Sequence, residues 1–198
     1  LRWSDPVHFQ FGQMKVPFST EWMTFDNQVN FLERATSEPV YTFFDRGVLL
    51  WGDLAEKRLT YQLGAFTGAG VDADATKGDI DDHKDVVLRL FAQPFRKSST
   101  EWLQGLYLAV QGTSGSESVP TRRYETRGLT APNYESQIWR WRTEQVIGTD
   151  GRNTDQIAGR IDSRQRWGAE LHYLKGPFTA SFEWLEVSYD DVAVNHEY

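Results

Sequence analysis

The chain has 198 residues, a formal net charge of −7 and a mean hydropathy of −0.56. No apolar run approaches the ~20 residues that a membrane helix needs, and the composition is not that of a disordered chain. The absence of cysteine excludes disulfides, thiolate metal sites and cysteine nucleophiles, and the negative charge argues against nucleic acid as a partner. Because the chain starts at Leu1 without a methionine or signal peptide, we expect it to belong to a longer protein.

Apolar and polar residues alternate at period 2 through most of the chain, which predicts β-strands. In chain order the strands are predicted at residues 7–12, 47–54, 59–65, 85–92, 106–111, 138–143, 166–173 and 178–185. Short turns such as 56–58 alternate with long polar links such as 67–83, which is typical of an up-and-down antiparallel meander. Apolar residues at helical spacing over 20–36 interrupt this rhythm and predict a short helix or folded loop.

Each predicted strand has one apolar face and one polar face, and two architectures satisfy that pattern. A transmembrane β-barrel would turn the apolar face to lipid and the polar face to a water-filled lumen. Strand length, loop alternation and aromatic residues near strand ends favour the barrel. It predicts that these side chains point outward: Leu59, Tyr61, Leu63, Leu88, Leu90, Leu106, Leu108, Trp167, Leu171 and Phe182.

The alternative architecture is a soluble or secreted β-sandwich that binds or hydrolyses polysaccharide through exposed tryptophans. Its acid pair would be Glu183 with Glu186, or Asp190 with Asp191. The chain lacks a Gly-x-Ser-x-Gly elbow, a P-loop, a dinucleotide fingerprint and a His-Glu-x-x-His motif. We therefore favour a protein without catalytic chemistry and expect no cofactor.

Several runs within residues 7–95 resemble the phosphate-selective porins O and P of Gram-negative outer membranes. They are Gly-Gln-Met-Lys-Val-Pro-Phe-Ser at 12–19, Phe-Leu-Glu-Arg at 31–34, Tyr-Gln-Leu-Gly-Ala-Phe-Thr-Gly-Ala-Gly at 61–70, and Arg-Leu-Phe-Ala-Gln-Pro-Phe at 89–95. The resemblance implies a 16-stranded barrel, of which residues 1–198 supply about half, with the segment at 16–36 inserted. It also implies an outer-membrane location in lipid, a homotrimer, and passive diffusion of small hydrophilic solutes, with a preference for anions such as phosphate.

Basic residues are the candidate anion pathway, because a guanidinium binds phosphate through paired hydrogen bonds and a series of them passes an anion between weak sites. Arg140 and Arg142 are expected on one lumen face, opposed to Arg164 and Arg166 on the next strand. The other members are Lys15, Arg34, Arg89 and Arg160. The alternative is that these arginines only form charge pairs, such as Arg142 with Glu144 or Arg166 with Glu170.

Six aspartates crowd residues 72–85. They do not fit an EF-hand, because the frame lacks glycine at its sixth position and glutamate at its twelfth. We interpret this stretch as a solvated loop and assign no metal site to it.

Overall fold

A computed structural model describes residues 2–4, 6–25, 27–28, 44–68, 84–117, 123–127, 135–140, 144–147, 153–156, 159–190 and 193–194. Side chains are described for residues 6–25, 27–28, 44–68, 84–115 and 163–188. Among the described residues, no helix is long and apolar enough to cross a membrane.

Thirteen strands and two short helices make up the described structure. The strands are β1 (Arg2–Ser4), β2 (Val7–Lys15), β3 (Phe44–Leu54), β4 (Leu59–Phe66), β5 (Asp85–Ala92), β6 (Leu106–Glu117), β7 (Arg123–Arg127), β8 (Glu135–Arg140), β9 (Glu144–Ile147), β10 (Asn153–Gln156), β11 (Gly159–Lys175), β12 (Phe178–Asp190) and β13 (Ala193–Val194). Helix α1 spans Thr20–Met23, and a 3₁₀ helix spans Glu101–Gly105.

The main sheet is antiparallel throughout, in the order β1-β2-β3-β4-β5-β6-β11-β12, with β13 paired to β11. Consecutive strands are therefore neighbours except between β6 and β11. There the chain forms two separate two-stranded sheets, β7–β8 and β9–β10. The predicted all-β antiparallel meander is confirmed. Of the strand predicted at 138–143, residues 138–140 lie in β8, and residues 141–143 lie outside the described residues.

The two faces of the main sheet differ as the alternation predicts. The apolar face is open: Leu63 is 45% exposed, Leu88 47%, Trp167 54% and Phe182 64%. The other side chains predicted to point outward are exposed (Leu108 and Leu171) or half-buried (Leu59, Tyr61, Leu90 and Leu106). A β-sandwich would bury these side chains in a core, whereas in the described chain they are exposed or half-buried.

The buried side chains lie on the opposite face, which we call the inner face. One apolar cluster there consists of Met14, Val16, Leu49, Phe66 and Val87. The Phe66 ring occupies space left by glycine. A Cβ built on Gly47 would approach this ring to 2.6 Å and the carbonyl oxygen of Ala65 to 2.3 Å. The inner face therefore needs glycine at position 47 to admit a buried aromatic ring.

A second buried pair shows that the sheet is curved. Phe18 and Trp22 pack against Leu185 in β12, and the Trp22 ring also meets Phe44 in β3 edge-on, with ring centroids 5.7 Å apart. Strands β3 and β12 are five steps apart in the sheet order, about 24 Å along a flat sheet. One turn of helix contacts both strands, so the sheet curls around α1 with its polar face inside.

Candidate functional site

Residues 16–24 leave the end of β2 and fold onto the inner face of the sheet. Phe18 and Ser19 are fully buried, and Trp22 is 7% exposed. The segment ends its single helical turn at Met23. We call residues 16–24 the inner segment. It is the part of the described chain that occupies the concave side of the sheet.

Ser19 begins the helix and ties it to β12. Its backbone φ of 127° is an angle that residues other than glycine rarely adopt. In this position the Ser19 hydroxyl accepts the Trp22 N–H at 3.3 Å and donates to Glu183 at 2.9 Å. The Glu21 N–H donates to the same carboxylate at 3.2 Å. With this strained backbone, a single hydroxyl contacts both the helix and Glu183 of β12.

Glu170 of β11 holds the next residue of the helix. The Thr20 N–H donates to its carboxylate at 3.1 Å, and the Thr20 hydroxyl donates as well. Arg89 from β5 forms an ion pair with Glu170 at 3.3 Å, with side chains 7% and 0% exposed, and it also donates to the Thr20 hydroxyl. The side chains of Ser19, Thr20, Arg89, Glu170 and Glu183 together form what we call the polar latch. It joins the inner segment to three strands.

Lys15 holds the other end of the inner segment. Its ammonium group donates to the carbonyl oxygens of Trp22 at 2.8 Å and Thr24 at 3.1 Å, and it lies 4.6 Å from the Trp22 ring centroid. A cation at the C-terminal carbonyls of a helix satisfies acceptors that the helix itself leaves open. The inner segment is therefore fixed at both ends.

A second charged group lies further along the inner face, towards the long links. Arg164 of β11 donates to Asp85 of β5 at 2.7 Å, and Arg166 lies 3.9 Å from the same carboxylate oxygen. All three side chains are at least nine-tenths buried. This cluster, the arginine pair with Asp85, joins two guanidinium groups to one carboxylate.

Two buried polar side chains of β6 lie between these charged groups in the strand register. Gln111 is opposite Arg89, and Thr113 is opposite Arg166. Both are 3% exposed, and among the described residues their side-chain amide and hydroxyl have no hydrogen-bond partner. Buried polar groups without protein partners are normally hydrated. The inner face therefore carries buried polar groups that the described residues leave without hydrogen-bond partners.

Glu170, His172 and Glu183 bring three possible metal-ligand atoms within 4.8 Å of one another. Their contacts do not favour a cation. Arg89 already places a positive charge 3.3 Å from Glu170, and main-chain N–H groups of the inner segment donate to both carboxylates. His172 contacts Glu170 at 2.8 Å and Ser181 at 3.0 Å. We assign these residues to the docking of the inner segment and not to a metal centre.

Comparison with protein families identifies the architecture. The family model described as phosphate-selective porin O and P matches residues 1–197. The chain belongs to this porin family. The searches of curated proteins and of solved structures found no match. The family match covers nearly the whole porin chain, beyond the stretch 7–95 in which the resemblance was visible from its motifs.

Four of the eight predicted pathway residues of the porin have described side chains. Lys15 and Arg89 hold the inner segment, and Arg164 and Arg166 share Asp85. Arg34 and Arg142 lie outside the described residues, as do the side chains of Arg140 and Arg160.

The expected opposition of Arg140 to the arginines of β11 is wrong. Strand β8 pairs with β7, where Arg140 is opposite Arg123. Strand β11 instead pairs with β6 and β12. The two arginine-bearing stretches are therefore not neighbouring strands.

One expected charge pair and one expected loop residue are also corrected. Arg166 pairs with Asp85 and not with Glu170, because residues four apart on one strand are about 13 Å apart. Asp85 is not part of a solvated loop: it begins β5 and is 7% exposed. The other five aspartates of the predicted loop lie outside the described residues.

The acid pair that a glycosidase would need, Glu183 with Glu186, is also contradicted. Glu183 lies on the inner face, opposite Glu170 in the strand register. Glu186, three residues further along β12, is opposite Trp167 on the outer face. The two carboxylates therefore lie on opposite sides of the sheet and cannot flank one glycosidic bond. Asp191 and the side chain of Asp190 lie outside the described residues.

Sequence reasoning missed the acidic half of the polar latch. Ser19 followed by Thr20 and Glu21 is a helix-start signal that was available in the sequence. No local signal marks Glu170, whose contact with Thr20 joins residues 150 positions apart. Only the register of three strands brings these groups together.

Proposed function

We propose that this porin chain forms part of the wall of a passive diffusion channel in the outer membrane of a Gram-negative bacterium. The observation that carries the proposal is the asymmetry of one curved sheet. Its convex face exposes Leu63, Leu88, Trp167 and Phe182, whereas its concave face holds charged and amide groups. Such a sheet fits lipid outside and water inside. The proposal assigns transport, and no chemical reaction, to the chain.

The inner segment supplies the narrow part of the proposed channel. It lies on the concave face and is tied to β5, β11 and β12 by the polar latch. A segment held there occupies lumen space that solutes would otherwise use. Its docking therefore sets the width of the passage at that level.

Anion preference is the finer part of the proposal, and phosphate is the solute that the family description suggests. The arginine pair with Asp85 brings two positive charges to one negative charge on the inner face. Charges in a low-dielectric wall act on a passing ion more strongly than charges in bulk water. Phosphate accepts paired hydrogen bonds from a guanidinium, so it gains most from such groups.

The sheet also suggests how the barrel is completed. Its order ends at β1 and β12, and in the described chain each of these strands is paired on one side only. An unpaired edge leaves backbone N–H and C=O groups without partners in lipid. We therefore propose further strands at these edges, in a 16-stranded barrel that assembles as a homotrimer like the family it belongs to.

Conductance across a planar lipid bilayer tests the proposal. The purified full-length porin, added at low concentration, should raise the current in discrete steps of uniform size, because each inserted assembly opens the same number of water-filled passages. A matched sample of heat-unfolded protein should give no steps. Folded protein that inserts into the bilayer without any conductance would contradict the channel.

A further inference from the structure

A cavity of about 480 Å³ lies on the inner face at the end of the sheet where the turns are short. It lies between the β3–β4 turn and the segment that follows β5. Its volume falls within the ~300–1,000 Å³ typical of small-molecule sites. The polar latch and the arginine pair with Asp85 contribute no residue to its lining.

Three basic side chains are among those that line the cavity: Lys57, Arg58 and Arg96. Lys57 and Arg58 belong to the turn at 55–58, which has left-handed φ angles at three positions. Arg58 donates one N–H to the Ala55 carbonyl oxygen at 3.1 Å, and Arg96 donates one to the Lys57 carbonyl oxygen at 3.1 Å. Each guanidinium is thus anchored at one nitrogen.

The basic side chains of the cavity have no acidic partner in the part of the chain that the structure describes. The lining contains one carboxylate, Asp53, which accepts the Thr60 hydroxyl at 2.6 Å. The nearby ion pair of the turns joins Lys97 to Glu56, and neither of these residues lines the cavity. The cavity therefore carries three positive charges against one negative charge, which favours an anion.

Two aromatic rings line the same cavity. Phe91 of β5 and Tyr107 of β6 have centroids 5.7 Å apart and an angle of 30° between their planes. Both side chains are half-buried, so part of each ring remains accessible. Arg89 lies 5.4 Å from the Phe91 centroid. Two rings in this arrangement form a surface on which a planar group of a ligand can stack.

The position of the cavity relates it to the inner segment. Phe91 is two residues beyond Arg89 on the same face of β5, or about 7 Å towards the turns. A solute that passes the polar latch therefore meets the cavity next.

We propose that this cavity is a binding site for phosphate monoesters that carry a ring. The phosphate contacts Lys57, Arg58 and Arg96, and the ring stacks on Phe91 and Tyr107. Inorganic phosphate, with five non-hydrogen atoms, satisfies the charges but leaves the aromatic surface and most of the volume unused. The inference deepens the proposed function, because it names a solute class for the passage.

Calorimetric titration of the detergent-purified porin tests the site, with adenosine monophosphate and inorganic phosphate at equal ionic strength. We expect adenosine monophosphate to bind about tenfold more tightly, since stacking of one base on an aromatic ring typically strengthens binding by about fivefold to a hundredfold. Tyr107→Leu keeps apolar volume but removes the π-face. It should abolish the tenfold advantage and change phosphate binding less than about twofold.

Two variants distinguish the positive charges that line the cavity from other positive charges on the neighbouring turns. Arg96→Ala should weaken binding of both ligands, whereas Lys97→Ala removes the same charge next to it, outside the lining, and should weaken neither. Unitary conductance of each variant reports whether the barrel is intact. Equal affinity for the two ligands, or equal losses in Arg96→Ala and Lys97→Ala, would overturn the site. A porin that conducts normally but shows either result would refute this inference and leave the channel standing.

Discussion

Replacing Glu170 by glutamine should release the inner segment and raise the unitary conductance. The neutral amide no longer neutralises the Arg89 guanidinium, and it gives the Thr20 N–H a weaker acceptor. Breaking a buried ion pair by removing one partner typically costs about 3–5 kcal/mol. Each 1.4 kcal/mol shifts an equilibrium about tenfold, so the docked population should fall sharply. Single-channel recording should show larger or flickering currents, and limited proteolysis should cleave near residues 16–24.

The matched control for this change is Glu186→Gln. Glu186 lies on the outer face of β12, away from the inner segment, so this variant should conduct as the wild type does. An unchanged unitary conductance in Glu170→Gln, with the protein folded, would mean that the inner segment does not limit the passage. An equal rise in both variants would attribute the effect to lost negative charge and not to the polar latch.

Replacing both Arg164 and Arg166 by alanine should move the ion selectivity towards cations. The change leaves the Asp85 carboxylate on the inner face without its two guanidinium partners. The reversal potential under a salt gradient measures the shift, which should diminish at high salt as the Debye length falls from about 10 Å at 0.1 M to about 3 Å at 1 M. Asp85→Asn should shift the reversal potential the opposite way.

Arg46→Ala is the control for charge removed from the outer face, where Arg46 is exposed opposite Gln13. It should leave the reversal potential unchanged. A double arginine variant that keeps the wild-type selectivity would show that the cluster at Asp85 does not act on passing ions. A wild-type porin that prefers cations would contradict the anion preference itself.

The sequence predicted the sheet well because each strand meets two different environments. Leu63 and Leu88 are directly opposite one another on the outer face, and Gln62 and Arg89 are opposite one another on the inner face. Because successive side chains point to opposite faces, each strand shows an apolar–polar alternation with a period of two residues, whatever its neighbouring strands are. The strand faces could therefore be read from local pattern.

The contacts of the site could not be read in the same way, because they depend on register between distant strands. Arg89 was correctly placed on the inner face, but its partner Glu170 is 81 positions away. The spacing of Arg166 and Glu170 suggests a charge pair, yet the extended strand separates them and Asp85 of another strand is closer. The spacing of charged residues along a strand predicts on which face of the sheet each one lies, but it does not predict which residue each one contacts.

Modification of single cysteines tests the central claim, that the polar face of this sheet lines the aqueous passage and the apolar face does not. The chain has no native cysteine, so each introduced thiol reports one position. Gln62 and Leu63 are adjacent in β4, on the inner and outer face respectively. A charged, water-soluble thiol reagent added during bilayer recording should lower the current of Gln62→Cys and leave Leu63→Cys unmodified. Reaction of Leu63→Cys with a loss of current, while Gln62→Cys stays inert, would contradict the account.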